Sequence, residues 1–187
     1  MTQALPGHSA PAVGFEVPLE MLAACHGRVQ HQCETLLRLL DHLKSHGADR
    51  SAQEAAQAVM RYFDTAARHH HEDEELDLFP ALLESMAGSD AVCLRELTES
   101  LRGDHRLLER RWASLRERLM QVTEGSAAAL EDDDVKGFVQ LYEQHIAREE
   151  AELLPMAARL LSAVELDRIG LAMRSRRGIT ALSVHHS

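Results

Sequence analysis

The sequence predicts an all-α protein: an antiparallel four-helix bundle followed by a short extra C-terminal helix. Three observations predict it. Leu, Ala, Glu, Arg and Gln dominate the chain, aromatic residues are 4% of it and runs of β-branched residues are absent, a balance that favours helix over strand. Apolar residues recur at helical spacing through four long stretches. The breaks between these stretches are short, which makes consecutive helices antiparallel neighbours.

Each element carries its own signals. After a Pro- and Gly-containing flexible leader over residues 1–15, Pro18 suits the first turn of a helix, where its missing N–H would be unpaired in any case. Leu19, Leu22, Val29, Leu36, Leu40 and Leu43 carry this helix toward Gly47, a stop signal. The second helix begins near Asp49 or Ser51, and Ala55, Val59 and Phe63 lead its apolar face. Pro80 is expected to interrupt it, because the ring clashes with the carbonyl of Leu76 four residues back. The third helix starts near Ser89 or Asp90 and runs through Leu94, Leu97, Leu101, Leu108, Trp112, Leu115 and Leu119 to a break at Gly125. Asp132, Asp133 and Asp134 offer a cap and favourable charge for the start of the fourth, which meets Pro155. A short helix around Glu165–Arg174 closes a domain over residues 16–176, and residues 177–187 form a polar tail.

At 187 residues the chain suits one domain with a sizeable core. A net charge of −10 argues against nucleic acid, whose phosphates need a basic face, and against docking on anionic lipid. No apolar run reaches the ~18 residues of a membrane span, and the first Lys or Arg is Arg28, so a cytoplasmic protein is expected. Its partner is expected to be small or cationic, with a homodimer or another protein as further possibilities. Cys25, Cys33 and Cys93 are an odd set without framework spacing, read as small, inert core residues.

One motif occurs twice. "ARHHHEDEELDLFPAL" at 67–82 and "YEQHIAREEAELLPMA" at 142–157 align with His70 on His145, Glu74 on Glu149, Glu75 on Glu150, Leu78 on Leu153 and Pro80 on Pro155. Helical positions i and i+4 share a face, so His70 with Glu74, and His145 with Glu149, each aim an imidazole and a carboxylate at one point. The helix before each motif supplies a further histidine, His26 and His105. A single such pair is commonplace. Recurrence at matching offsets is not, and four imidazoles with two carboxylates inside one bundle are costly to bury unless paired or bound to metal. That donor set exceeds the tetrahedral shell of structural zinc and suits a pair of iron ions, or of manganese, with room for an exogenous ligand; manganese or zinc are further occupants of the purified protein. The Glu-x-x-His signature of ferritin-like bundles is absent. Glu75 and Glu150 recur as well and are placed to bond a ligand imidazole from outside. Glu72, Asp73, Asp77 and Glu152 read as a solvated face, and His71, about 100° round from His70, reaches the edge of the site.

The two motifs, with one histidine on each preceding helix, resemble the hemerythrin-like, or HHE cation-binding, domain over roughly residues 18–160. The resemblance implies an up-down-up-down four-helix bundle around a non-heme di-iron centre. It makes His26, His70, His105 and His145 terminal ligands, and Glu74 and Glu149 carboxylates able to bridge the irons. One departure stands out: the oxygen carriers of this family place a second histidine one turn after the first on the third helix, and here that position is Glu109. Glu109, His71 or water is expected to fill that place. The implied function is binding of O2, peroxide or NO as sensor, scavenger or store. The alternatives are a di-iron oxidase or peroxidase, or a protein similar to those that repair iron-sulfur clusters.

Overall fold

In a computed structural model, residues 14–85, 90–125 and 130–179 are described. The first rod is a single helix, α1 (Pro18–His46), opened by its proline and closed by Gly47, whose φ of 68° suits a residue without a Cβ. The second rod is built of four pieces: α2 (Arg50–Asp64), α3 (Ala66–Asp73), a π-helical turn π1 (Glu74–Leu78) and α4 (Phe79–Ser85). Asp49 caps α2 by accepting from the Ala52 N–H at 2.9 Å. The third rod is α5 (Asp90–Thr123), and the fourth joins α6 (Asp132–Arg148), a second π-helical turn π2 (Glu149–Leu153) and α7 (Leu154–Leu160). Helix α8 (Ala163–Arg176) comes next, opened by a capping box between Ser162 and Glu165. No strand occurs among the described residues, and no helix there is long and apolar enough to cross a membrane.

Three local features differ from the sequence expectation. The second rod breaks once at Thr65, whose hydroxyl donates to the Arg61 carbonyl at 2.6 Å while its N–H turns back to Tyr62. Pro80 does not end this rod. The π turn widens the backbone just ahead of it, so that the Phe79 N–H bonds the Glu74 carbonyl five residues back, and the helix continues through the proline. Pro155 is met in the same way, with the Leu154 N–H on the Glu149 carbonyl. At the start of α6 the cap position is Glu131 and no side chain bonds there; Asp132, Asp133 and Asp134 occupy the first turn. They favour the helix start through charge, and Asp132 also accepts from Lys44 at 3.0 Å and from Lys136 at 2.9 Å.

Helix α2 packs against α1 and α5, and α6 packs against α5 and α1, so the four rods form a closed square. Two apolar layers fill it. One holds Leu36, Val59, Phe63, Leu115, Leu119 and Phe138; the other holds Leu22, Leu78, Phe79, Leu82, Leu101 and Leu153. Between them the inward stripe of each rod turns polar: on α1 the buried series Leu22, His26, Val29, Cys33, Leu36 has a histidine in mid-run, and on α5 the series Leu101, His105, Leu108 has another.

Helix α8 lies across α1, α3 and π1. Gly170 lets it approach, since a Cβ there would stand 2.1 Å from the Phe15 carbonyl oxygen. Asp73 and Asp77 do not belong to a solvated face. Asp73 is fully buried, bonded by Arg176 and held by Arg177 through contacts of 2.6 and 3.1 Å, while Arg176 also reaches Asp77 at 2.7 Å. Phe15 lies beneath the Arg174 and Arg177 guanidiniums, and Arg177 is part of this buckle. The rest of the leader, residues 1–13, and residues 180–187 of the tail lie outside the described residues, as does Ser89. Cys25 and Cys33 are buried free thiols, with burial pushing Cys33 up to about 12, beyond ordinary reactivity. Cys93 is exposed and does not belong to the core.

Replacing Asp73 by Asn removes the anion between two guanidiniums that still reach solvent. We expect a loss of about 3 kcal/mol, the lower end of what breaking a buried ion pair costs, read as a lower urea midpoint. An unchanged midpoint would show that α8 is held by something other than this buckle.

Candidate metal centre

Six side chains from all four rods meet between the two apolar layers. His26 comes from α1, His70 from α3, His105 from α5 and His145 from α6, while Glu74 and Glu149 are the first residues of the two π turns. None of the six is more than 2% exposed. The π turns matter to this placement, because the carboxylate opens the wide turn and the i to i+4 histidine sits on the last regular turn before it.

Each carboxylate divides its two oxygens between the two ends of the site. Glu74 Oε1 lies 3.4 Å from His70 Nε2, and its Oε2 lies 3.4 Å from His105 Nε2. Glu149 Oε2 lies 3.1 Å from His26 Nε2, and its Oε1 lies 3.2 Å from His145 Nε2 and 4.0 Å from His105 Nε2. Two groups of ligand atoms result, each within 4.8 Å: His26, His70, Glu74 and Glu149, and His105, His145, Glu74 and Glu149. Both carboxylates belong to both groups.

A ring of outer carboxylates fixes the imidazoles. His105 Nδ1 faces Glu75 Oε1 at 2.6 Å, and His26 Nδ1 faces Glu150 Oε1 at 3.1 Å. The glutamate directly after each shared carboxylate thus bonds a histidine on the opposite half of the repeat. His145 Nδ1 faces Asp104 at 3.4 Å, and Asp104 is gripped in turn by Arg148. With Nδ1–H donating outward, Nε2 presents its lone pair inward, the tautomer a metal requires. No pattern in the sequence marks Asp104: it reaches its histidine across helices, on an azimuth that spacing along α5 does not reveal. His70 Nδ1 is buried without a partner.

The inner atoms are unsatisfied as they stand. All four oxygens of Glu74 and Glu149, and His26 Nε2, are buried without an aligned hydrogen bond, although His26 and Glu149 are close enough for one. His105 Nε2 and His145 Nε2 point at each other across 3.1 Å, an arrangement that requires a proton or a cation between two lone pairs. Burial and the charge of Glu149 push Glu74 up to about 7. For Glu149 burial acts the same way, but the His145 and His26 imidazoles overcome it and hold that carboxyl well below the usual range. Burial lowers His145 as well, and is outweighed by Glu149 and Asp104, which raise it to about 10. Burial keeps His70 and His71 well below an ordinary histidine, hence neutral. Such a centre holds protons where it can hold cations, and the donor set of nitrogen and oxygen atoms fits divalent transition metals.

The remaining candidates separate clearly. Glu109 is exposed and belongs to neither group of ligand atoms. The inward stripe of α5 continues from His105 to Leu108, three residues on, which turns the residue four on toward the rim. His71 is buried and forms a third group with His105 and His145. Its ring stacks on His105 with centroids 4.0 Å apart and planes 12° apart. One ring nitrogen of each of the three lies within 4.8 Å of the others, so His71 stands beside the point that His105 and His145 address.

Comparison with known proteins agrees with this geometry. Residues 17–157 match the hemerythrin HHE cation binding domain family. The chain is also 34% identical over 162 residues, 87% of its own length and 91% of the other's, to an uncharacterized protein of Haemophilus influenzae. The chain belongs to the hemerythrin HHE cation-binding family.

Metal uptake must displace the proton that Glu74 carries. Because its carboxyl is raised to about 7, cobalt(II) or zinc(II) should bind more tightly at pH 8 than at pH 6, with release of at least about one proton per chain near neutrality. Calorimetry in buffers of different ionisation enthalpy reads both. Affinity independent of pH over this range would contradict a proton-holding centre.

Proposed function

We propose that the chain is a non-heme di-iron protein that meets O2, peroxide or NO, acting as a sensor, scavenger or store in the cytoplasm. The observation that carries this reading is the division of the Glu74 and Glu149 oxygens between the two histidine pairs, which suits two cations sharing two carboxylates. Iron bound in this way supplies reversible one-electron redox chemistry at each ion and a coordination position for a small molecule.

The protein's own groups set the conditions for that chemistry. Four neutral imidazoles and two carboxylates leave a pair of divalent cations with a net positive charge, which favours an anionic or reducible partner. The outer carboxylates Glu75, Glu150 and Asp104 hold three imidazoles in one orientation and increase their basicity, supporting the higher oxidation state. The apolar layers around Phe63 and Phe79 keep bulk water from the centre and strengthen every electrostatic contact within it. Glu109, turned to solvent, adds no third carboxylate to the two groups of ligand atoms.

Anaerobic reconstitution with Fe(II), then metal counting, tests this reading. Two irons per chain are expected, with near-ultraviolet absorption that grows on exposure to air or peroxide. Glu74→Ala and Glu149→Ala should each lower the content well below two, whereas Glu72→Ala, at a residue that lies 3.3 Å from Arg68 and 3.8 Å from Arg176 and outside both ligand groups, should not. One bound zinc and no oxidation-sensitive spectrum would contradict it.

A further inference from the structure

The two ends of the centre become unequal once His71 is counted. His26 and His70 address one end, and His105 and His145 the other, with Glu74 and Glu149 common to both. His71 groups with His105 and His145, and among the described residues it forms no group with His26 or His70. It directly follows His70 in the chain, about 100° further round α3. The rings of these two neighbours stand 6.0 Å apart between centroids, while His71 comes within 4.0 Å of the His105 ring. Two consecutive histidines thus serve opposite ends of one buried centre.

Nothing in the protein satisfies the inner nitrogen of this ring. His71 Nε2 is buried without a hydrogen-bond partner, the condition that also marks His26 Nε2 and all four oxygens of Glu74 and Glu149. A position with only a packing role favours a hydrocarbon, because an unpaired buried polar atom is costly. Glu109 is exposed and outside every group of ligand atoms, which leaves His71 as the further protein donor at the His105 and His145 end. The His71 and His105 planes lie 12° apart, and parallel rings do not share an ion. The terminal torsion of a histidine is broad, however, so a tilt of the His71 ring turns its nitrogen from beside that point onto it.

We propose that His71 is a metal ligand, the third imidazole at the His105 and His145 end, supplied by the second rod rather than the third. The proposal rests on the two-metal reading above and assigns the coordination within it. Three imidazoles then serve one ion and two the other, with the oxygens of Glu74 and Glu149 shared between them. His70 and His71 divide between the two ions as the two oxygens of each carboxylate do.

The test loads the full-length protein with cobalt(II), whose visible absorption strengthens as its coordination number falls, and measures affinity by competition with a chelator. Wild type should bind two cobalt ions. His71→Phe, which keeps a flat ring against His105, should weaken one of the two about tenfold or more, leave the other within about twofold, and strengthen the visible band. Glu109→Gln should change neither affinity nor spectrum. The metal-free proteins separate a ligand from a packing residue: the urea midpoint of His71→Phe should equal or exceed that of wild type, since no hydrogen bond is lost. His71→Leu should give the same cobalt readings, should the larger ring disturb the fold. Wild-type affinities and an unchanged cobalt spectrum in both variants would overturn the proposal, because the nitrogen would then bond water or merely pack. Fewer than two cobalt ions in wild type would count against the two-metal reading instead, before any variant is compared.

Discussion

Two carboxylates buried side by side in an apolar bundle dictate the architecture around them. Glu74 and Glu149 contribute oxygens that lie within 4.8 Å of one another. Even at an effective dielectric constant near 20, two such charges repel by about 3–4 kcal/mol, before the larger cost of removing either from water. Four imidazoles converge on them: a proton on His145 offsets part of that charge when no metal is bound, and as neutral groups with inward lone pairs they add donors for a cation. The arrangement is consistent only with protons or cations at its centre, and the outer carboxylates orient the imidazoles for cations.

The backbone is shaped around the same constraint. Glu74 and Glu149 each open a π turn, and beyond each π turn a proline takes the second helical position. Proline forbids the regular register over the preceding turn, and the extra residue of the π turn removes the clash while rotating the carboxylate relative to the apolar face that continues beyond it. The first of these turns is braced from outside by Arg176 and Arg177 on the buried Asp73, the residue directly before Glu74. Helix α8 thus belongs to the support of the centre, although it contributes no ligand atom.

Much of this is legible in the sequence, because a repeat leaves its mark at matching offsets. His70 with Glu74 and His145 with Glu149 are readable as pairs, and the lone histidines His26 and His105 become meaningful once the pairs are seen. Glu75 and Glu150 are readable for the same reason. Asp104, the Asp73 buckle and the break at Thr65 are not, since each depends on contacts between helices far apart in the chain or on a single backbone dihedral. Glu109 shows the limit of spacing arguments: one turn past His105 it shares a broad face with it, but the stripe that enters the core passes through Leu108 instead. The prolines are visible in the sequence, yet the π register that accommodates them is set by backbone packing.

If Glu74 and Glu149 each span two metal ions, the ions must lie close together. X-ray absorption at the iron edge of the reconstituted protein measures this, because scattering from a second iron depends on the distance between the ions and not on their total number. An iron–iron contribution at about 3–4 Å is expected, within a first shell of nitrogen and oxygen atoms only. Iron bound at full occupancy with no iron–iron scattering would place the ions at separate sites and contradict the shared carboxylates.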